Sequence, residues 1–268
     1  MALDIYTPGA SGTAINELKR KLLIYNPDEE LKQNVITFKI TDDFIDFINH
    51  VNIIGALLSY NSSTKVYTVW NGNYSYWNPF DTDNILPVSL YGDIVAVCVG
   101  KGLWAKINWN NNSNNEYAWS LATDVNYEIT HGNLVHGNGA DNTKHILNEG
   151  SYADITFWSL FESANNITQN DYYVYLPSSL EYLEMFNNLC DNKHKNTDFE
   201  KPVATPHTFT SNICKLLNIS DTSKYWTSTQ AASVTPLGKY AIMFNPEVYQ
   251  LVVFDKQQPG RTIALIHF

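Results

Sequence analysis

Four residues of metal-ligand type fall within one stretch of the chain: Cys190, His194, His207 and Cys214. Cys190 and His194 stand at i and i+4, one face of a helix, and zinc accepts thiolate and imidazole ligands. The following gaps of 12 and 6 residues match no usual finger spacing. Cys190 also continues an apolar stripe, so the set reads as a buried cysteine and two loop histidines, with no metal and no cofactor. His131 and His136 in "HGNLVHG" read as loop residues too. Nucleophilic, phosphate-binding and zinc-hydrolase chemistry have sequence signatures: Gly-x-Ser-x-Gly, a phosphate loop and His-Glu-x-x-His. None of them occurs in the chain. The carboxylates of "FDTDN" are solvated loop acids by default, and no catalytic residue is assigned.

Bulk composition narrows the class. The chain has 268 residues, 44% hydrophobic and only 16% charged, which is ample material for a core. Its net charge of −10 repels a phosphate backbone, so nucleic acid is excluded as a partner. The longest apolar stretches, "VNIIGALLSY" and "DIVAVCVG", are too short to span a bilayer. The start, "MALDIYTPGASG", has no cationic segment followed by an apolar run, so the expectation is a chain made without an export leader. Three widely spaced cysteines fit a protein that needs no disulfides. The 17 Tyr and 7 Trp join a large apolar face to a polar tip, which suits binding surfaces as well as cores.

Periodicity supplies the elements that position these side chains. Residues 14–25 read as a helix, "NVITFKIT" as a half-buried strand, and "DDFIDFINH" as a helix started by Asp. "KVYTVWNGNYSYW" predicts two strands around an Asn71-Gly72 turn. "NPFDTDNILP" is turn-rich and predicts a linker ending at Pro87, which divides the chain into residues 1–87 and 88–268. Two strands flank "GKG" at Gly100–Gly102, and "NWNNNSNNEYAWS" reads as an exposed polar loop. A helix is predicted from Asp141 to about Glu149. In "SYADITFWSLFESAN" the residues Ala153, Phe157, Leu160, Phe161 and Ala164 make one buried stripe. Ser178 and Glu181 make a capping box, and Leu180, Leu183, Phe186 and Leu189 are the expected buried face of the helix that follows. Three strands close the chain, "KYAIMF", "YQLVVFD" and "TIALIHF".

This order, with "GADNTKHI", "YLPSSLEYLEMFNNL", "YWTSTQ", "AIMF" and "IALIHF", resembles the C-type-lectin-like domain in its formylglycine-generating-enzyme-like subtype. Domains of this kind occur in gut bacterial surface proteins, phage adhesins and the variable proteins of diversity-generating retroelements. The resemblance covers residues 88–268. It implies an α+β fold, with a C-type-lectin-like C-terminal domain behind a small β-rich N-terminal attachment domain. It also implies that Trp226 anchors the core, together with Leu183 and Phe186. The hydroxyls of Thr227, Ser228 and Thr229 would then satisfy backbone groups where the chain turns. The enzyme of that subtype binds copper through paired cysteines near its C-terminus. Residues 225–268 contain no cysteine, so that activity is not carried over. The calcium site of sugar-binding C-type lectins is not carried over either, because no Trp-Asn-Asp follows "FNPEV" or "QQPG".

The resulting expectation is a non-enzymatic protein of the virion surface, of the phage head-fibre, decoration or tail-fibre type. A bacterial cell-surface or secreted adhesin is the alternative. Residues 1–87 would hold other virion proteins and drive homo-oligomerisation. Residues 88–268 would present a glycan or surface-protein ligand to Trp109, Tyr117, Trp119 and Tyr127, aromatics set among Asn amides that match sugar hydroxyls.

Overall fold

The computed structural model describes residues 35–38, 42–70, 77–82, 92–109, 116–119, 138–149, 156–166, 171–189, 209–231 and 239–268. In chain order the first elements are β1 (Val35–Phe38), α1 (Asp42–Ile48), β2 (Leu57–Asn61), β3 (Val66–Trp70), β4 (Asp93–Gly100), β5 (Leu103–Lys106) and β6 (Tyr117–Ala118). Next come α2 (Gly139–Glu149), α3 (Thr156–Asn165), β7 (Tyr173–Tyr175), α4 (Ser179–Leu189) and α5 (Asn212–Leu216). The last are β8 (Tyr225–Gln230), β9 (Tyr240–Asn245), β10 (Gln250–Asp255), β11 (Pro259–Gly260) and β12 (Leu265–His267). Antiparallel sheets with a few helices make this an α+β arrangement. Among the described residues no helix is long and apolar enough to cross a membrane. The expected helix at residues 14–25 and the Asn71-Gly72 turn lie outside the described residues.

The chain divides into two units. One holds Met1–Asn108, Thr210–Leu217 and Phe268; the other holds Trp109–Phe209 and Asn218–His267. In the first, β1, β3, β2, β4 and β5 lie side by side in that order, every pair antiparallel. The ladder between β2 and β4 keeps strands from both sides of Pro87 in one sheet, and the units divide after Asn108. The hairpin here joins β2 to β3. Its turn is held by Asn61 Oδ1, which accepts from the amides of Ser63 and Thr64 at 3.0 and 3.1 Å. Gly102 turns β4 into β5 with φ +68°, and a Cβ there would lie 2.2 Å from the carbonyl oxygen of Asn49, so only glycine fits. Phe44, Phe47 and Ile48 of α1, spaced i, i+3 and i+4, are buried. Phe44 meets Tyr67 and Phe268 at centroid distances of 5.7 and 5.0 Å.

In the second unit β8, β9 and β10 form an antiparallel sheet, β7 pairs with β12, and β6 pairs with β11. The capping box forms as expected. Glu181 Oε2 accepts from the Ser178 amide at 2.7 Å, and the Glu181 amide donates to Ser178 Oγ at 3.4 Å. The buried face of α4 is displaced from the expected one. Tyr182, Met185, Phe186 and Leu189 point inward, whereas Leu183 is half-buried and Leu180 exposed. Three-residue steps explain the error, since from Leu180 to Leu189 they accumulate about 900° of rotation, which puts the two ends on opposite faces. The i, i+3, i+4, i+7 set keeps to one face, and Phe186 belongs to it. In α3 the core side chains are Phe157, Trp158 and Phe161, with Leu160 and Ala164 half-buried.

Trp226 is fully buried at the start of β8, and its Nε1 donates to the carbonyl of Tyr117 at 2.9 Å. Gly260 of β11 packs against its ring. A Cβ at Gly260 would lie 2.9 Å from Trp226 and 2.2 Å from the end of Met243. Replacing Trp226 by Ala therefore removes a large core ring and one donor to the Tyr117 carbonyl. The unfolding free energy measured by chemical denaturation should fall by roughly 3–5 kcal/mol. A fall below about 1 kcal/mol would mean that Trp226 does not organise this core.

Candidate functional site

The four aromatics expected on an exposed contact surface have different surroundings. Trp109 is half-buried. Its ring lies 4.5 Å from that of Phe161, and its Nε1 donates to Thr262 Oγ1 at 3.0 Å. Tyr117, also half-buried, opens β6, and its register partner across the β6–β11 pair is Gly260. Both are thus tied to one short stretch, Gly260 to Thr262. The six residues between Trp109 and Glu116 in the sequence are "NNNSNN". Tyr127 lies outside the described residues.

Trp119 is a correction, because it is 1% exposed and belongs to the core. Its Nε1 donates to the carbonyl of Thr227 at 3.1 Å, while its own carbonyl accepts from Trp158 Nε1, also at 3.1 Å. The two indoles meet edge to face at 5.3 Å. A buried backbone carbonyl costs free energy unless a donor reaches it, and an indole N–H supplies one without leaving the core. Polar neighbours in the sequence therefore do not place a tryptophan on the surface.

Of the triplet, Thr227 and Thr229 meet backbone groups as expected, and Ser228 does not. Between β8 and β9, Trp226 pairs with Met243 and Gln230 with Ala241, so three residues of β8 bulge out opposite Ile242. Thr227 Oγ1 donates to the Ile242 carbonyl at 2.9 Å, filling the place of a ladder bond. Thr229 Oγ1 accepts from the Ser179 amide at 3.0 Å, at the first turn of α4. Ser228 Oγ accepts instead from a side chain, Asn142 Nδ2 of α2, at 3.2 Å. These hydroxyls are committed to structure.

Lys256 has no precedent in the sequence reading. It follows β10, is 3% exposed, and sets its Nζ 4.1 Å from the centroid of the Trp119 ring. Burial pushes its ammonium down to about 7, while the π face of Trp119 works in the opposite direction by favouring the cation. The sequence signal was slight, a lysine beside the Gln-Gln-Pro-Gly turn. Nothing in a two-residue strand such as β11 reveals which core it closes. Of the ligand-type set, Cys190, His194 and His207 lie outside the described residues. Cys214 is buried in α5, where its Sγ accepts from Ser211 Oγ at 3.1 Å. Among the described residues no group of three or more His, Cys, Asp or Glu could hold a metal ion.

No family model, no curated protein and no solved structure matches the chain.

Lys256 makes stability depend on pH in a definite direction. Folding depresses its pKa from 10.5 to about 7, so between those values the unfolded chain binds more protons than the folded one. Its contribution is most unfavourable below about pH 7, is relieved as pH rises, and vanishes above 10.5. Urea midpoints of the wild type should rise across this window relative to those of Lys256→Met. Parallel pH profiles for the two proteins would show that the ammonium is not held in the folded core.

Proposed function

We propose that the chain is a non-enzymatic binding protein that displays a C-type-lectin-like domain on a virion surface and takes a glycan there. The fold assignment rests on the resemblance carried by the capping-box helix, the "YWTSTQ" strand and the closing strands. What supports it is the linkage of those pieces: Ser179 at the start of α4 is bonded to Thr229 of β8. The virion setting is what the resemblance implies, with residues 1–87 attaching to other particle proteins and to further copies of the chain.

One observation carries the ligand class. Trp109 and Tyr117 are both half-buried, both anchored to Gly260–Thr262, and they flank the Asn-rich run. An aromatic ring already braced by Phe161 loses little conformational freedom when a sugar ring stacks on it. Asn amides offer donors and acceptors that match sugar hydroxyls. Trp119, as a core residue, takes no part in this contact.

Glycan-array binding of the intact chain, followed by titration of the best ligand, tests the reading. Trp109→Ala and Tyr117→Ala should each weaken binding by about tenfold or more while the circular dichroism stays native. Unchanged affinity in both variants, or no glycan bound by the wild type, would overturn it. Immunogold labelling of intact particles tests the setting, with label on the particle surface expected and label confined to a bacterial cell surface contradicting it.

A further inference from the structure

The sheet edges of the second unit are treated unequally. Along β7, Asn165 works as a backbone mimic: its Oδ1 accepts from the Val174 amide at 2.7 Å and its Nδ2 donates to the Val174 carbonyl at 2.8 Å. Along the outer side of β8, the amides of Trp226 and Ser228 donate to the carbonyls of Arg261 and Pro177, both at 2.8 Å. Both outward groups of Val174 and the outward amides of Trp226 and Ser228 are thus occupied, a protection of an edge.

Among the described residues no such group covers the outward side of β10 at Leu251 and Val253. Its register with β9 is unbroken over six residues, and Lys256 continues it by donating to the Lys239 carbonyl. That bond fixes the alternation. Residues 250, 252 and 254 exchange backbone bonds with β9, and residues 251, 253 and 255 turn theirs outward. The Asp255 carbonyl is used by the Gln258 amide in the following turn. The outward groups of Leu251 and Val253 meet no strand among the described residues. Residues 250–254 hold no charge, no proline and no glycine, and Val253 is 47% exposed.

We infer that β10 is a self-association edge, pairing antiparallel with β10 of a second copy of the chain about a twofold axis at Val252. The two open residues lie two apart, so one register matches both. Leu251 exchanges both bonds with Val253 of the second copy, and Val253 does the same with its Leu251. Apolar residues then face apolar residues, Leu251 opposite Val253 and Val252 opposite Val252. The pair closes on itself as an isologous contact, whereas an added foreign strand becomes a new open edge. This contact is separate from the attachment role proposed for residues 1–87.

Sedimentation of the full chain over a dilution series tests the pairing, with Val253→Lys and Val253→Thr beside the wild type. The lysine should weaken the association by about tenfold or more, because a charge then stands in each copy's edge. The threonine keeps the β-branch and the backbone amide and should behave as wild type. Hydrogen exchange gives a second readout, since the Leu251 and Val253 amides should gain protection as concentration rises. Association unmoved by Val253→Lys, a chain monomeric throughout the series, or amides whose exchange ignores concentration would each overturn the inference.

Discussion

Midway along β8 the ladder to β9 stops, and a threonine hydroxyl takes over: Thr227 Oγ1 reaches the Ile242 carbonyl at 2.9 Å. The neighbouring contacts of the second unit depend on that substitution. Beside it the Ser228 amide points away from β9 to the Pro177 carbonyl, and Thr229 Oγ1 meets the first turn of α4. The hydroxyls also bond along the strand, the Thr229 amide donating to Thr227 Oγ1 at 3.1 Å. Thr227, Ser228 and Thr229 are all buried, so each such group would cost free energy if left without a partner.

Tryptophan serves a related purpose on a larger scale. Trp77, Trp104, Trp119, Trp158 and Trp226 are buried, and each sends its Nε1 to a backbone carbonyl. In the second unit two of these bonds meet at Trp119, and a third ties Trp226 to Tyr117. Trp158 donates to Trp119, Trp119 to Thr227, and Trp226 to Tyr117. An indole braces loop backbone from inside the core, filling volume and satisfying a carbonyl together. Much of the aromatic content thus has a structural use, and the surface left for a ligand is smaller than composition implies.

This explains which features could be read from the sequence. The capping box was legible because Ser178 and Glu181 act locally, three residues apart. The burial of Trp226 and the use of the hydroxyls on backbone groups were expected from the resemblance, not from any local pattern. The inward face of α4 was misplaced because leucines at three-residue steps look like a stripe but rotate off it. Trp119 was misread because its polar neighbours say nothing about the carbonyl of Thr227, 108 residues away, that its Nε1 reaches. β6 and β11 span two residues each, too short for any period, although Gly260 marks the point where β11 must approach Trp226. The buried setting of Lys256 depends on Trp119 and has no local signature.

The most direct test of the central claim is the unfolding free energy of Thr227→Val, Thr229→Val and the double variant, since valine keeps the shape of threonine and deletes only the hydroxyl. If the hydroxyls stand in for the missing ladder, each single change costs about 1–3 kcal/mol, because a buried carbonyl or amide loses its partner. The double variant should cost more than either single change, because the two hydroxyls serve different partners, the Ile242 carbonyl and the Ser179 amide. All three variants lying within about 0.5 kcal/mol of the wild type would contradict the account.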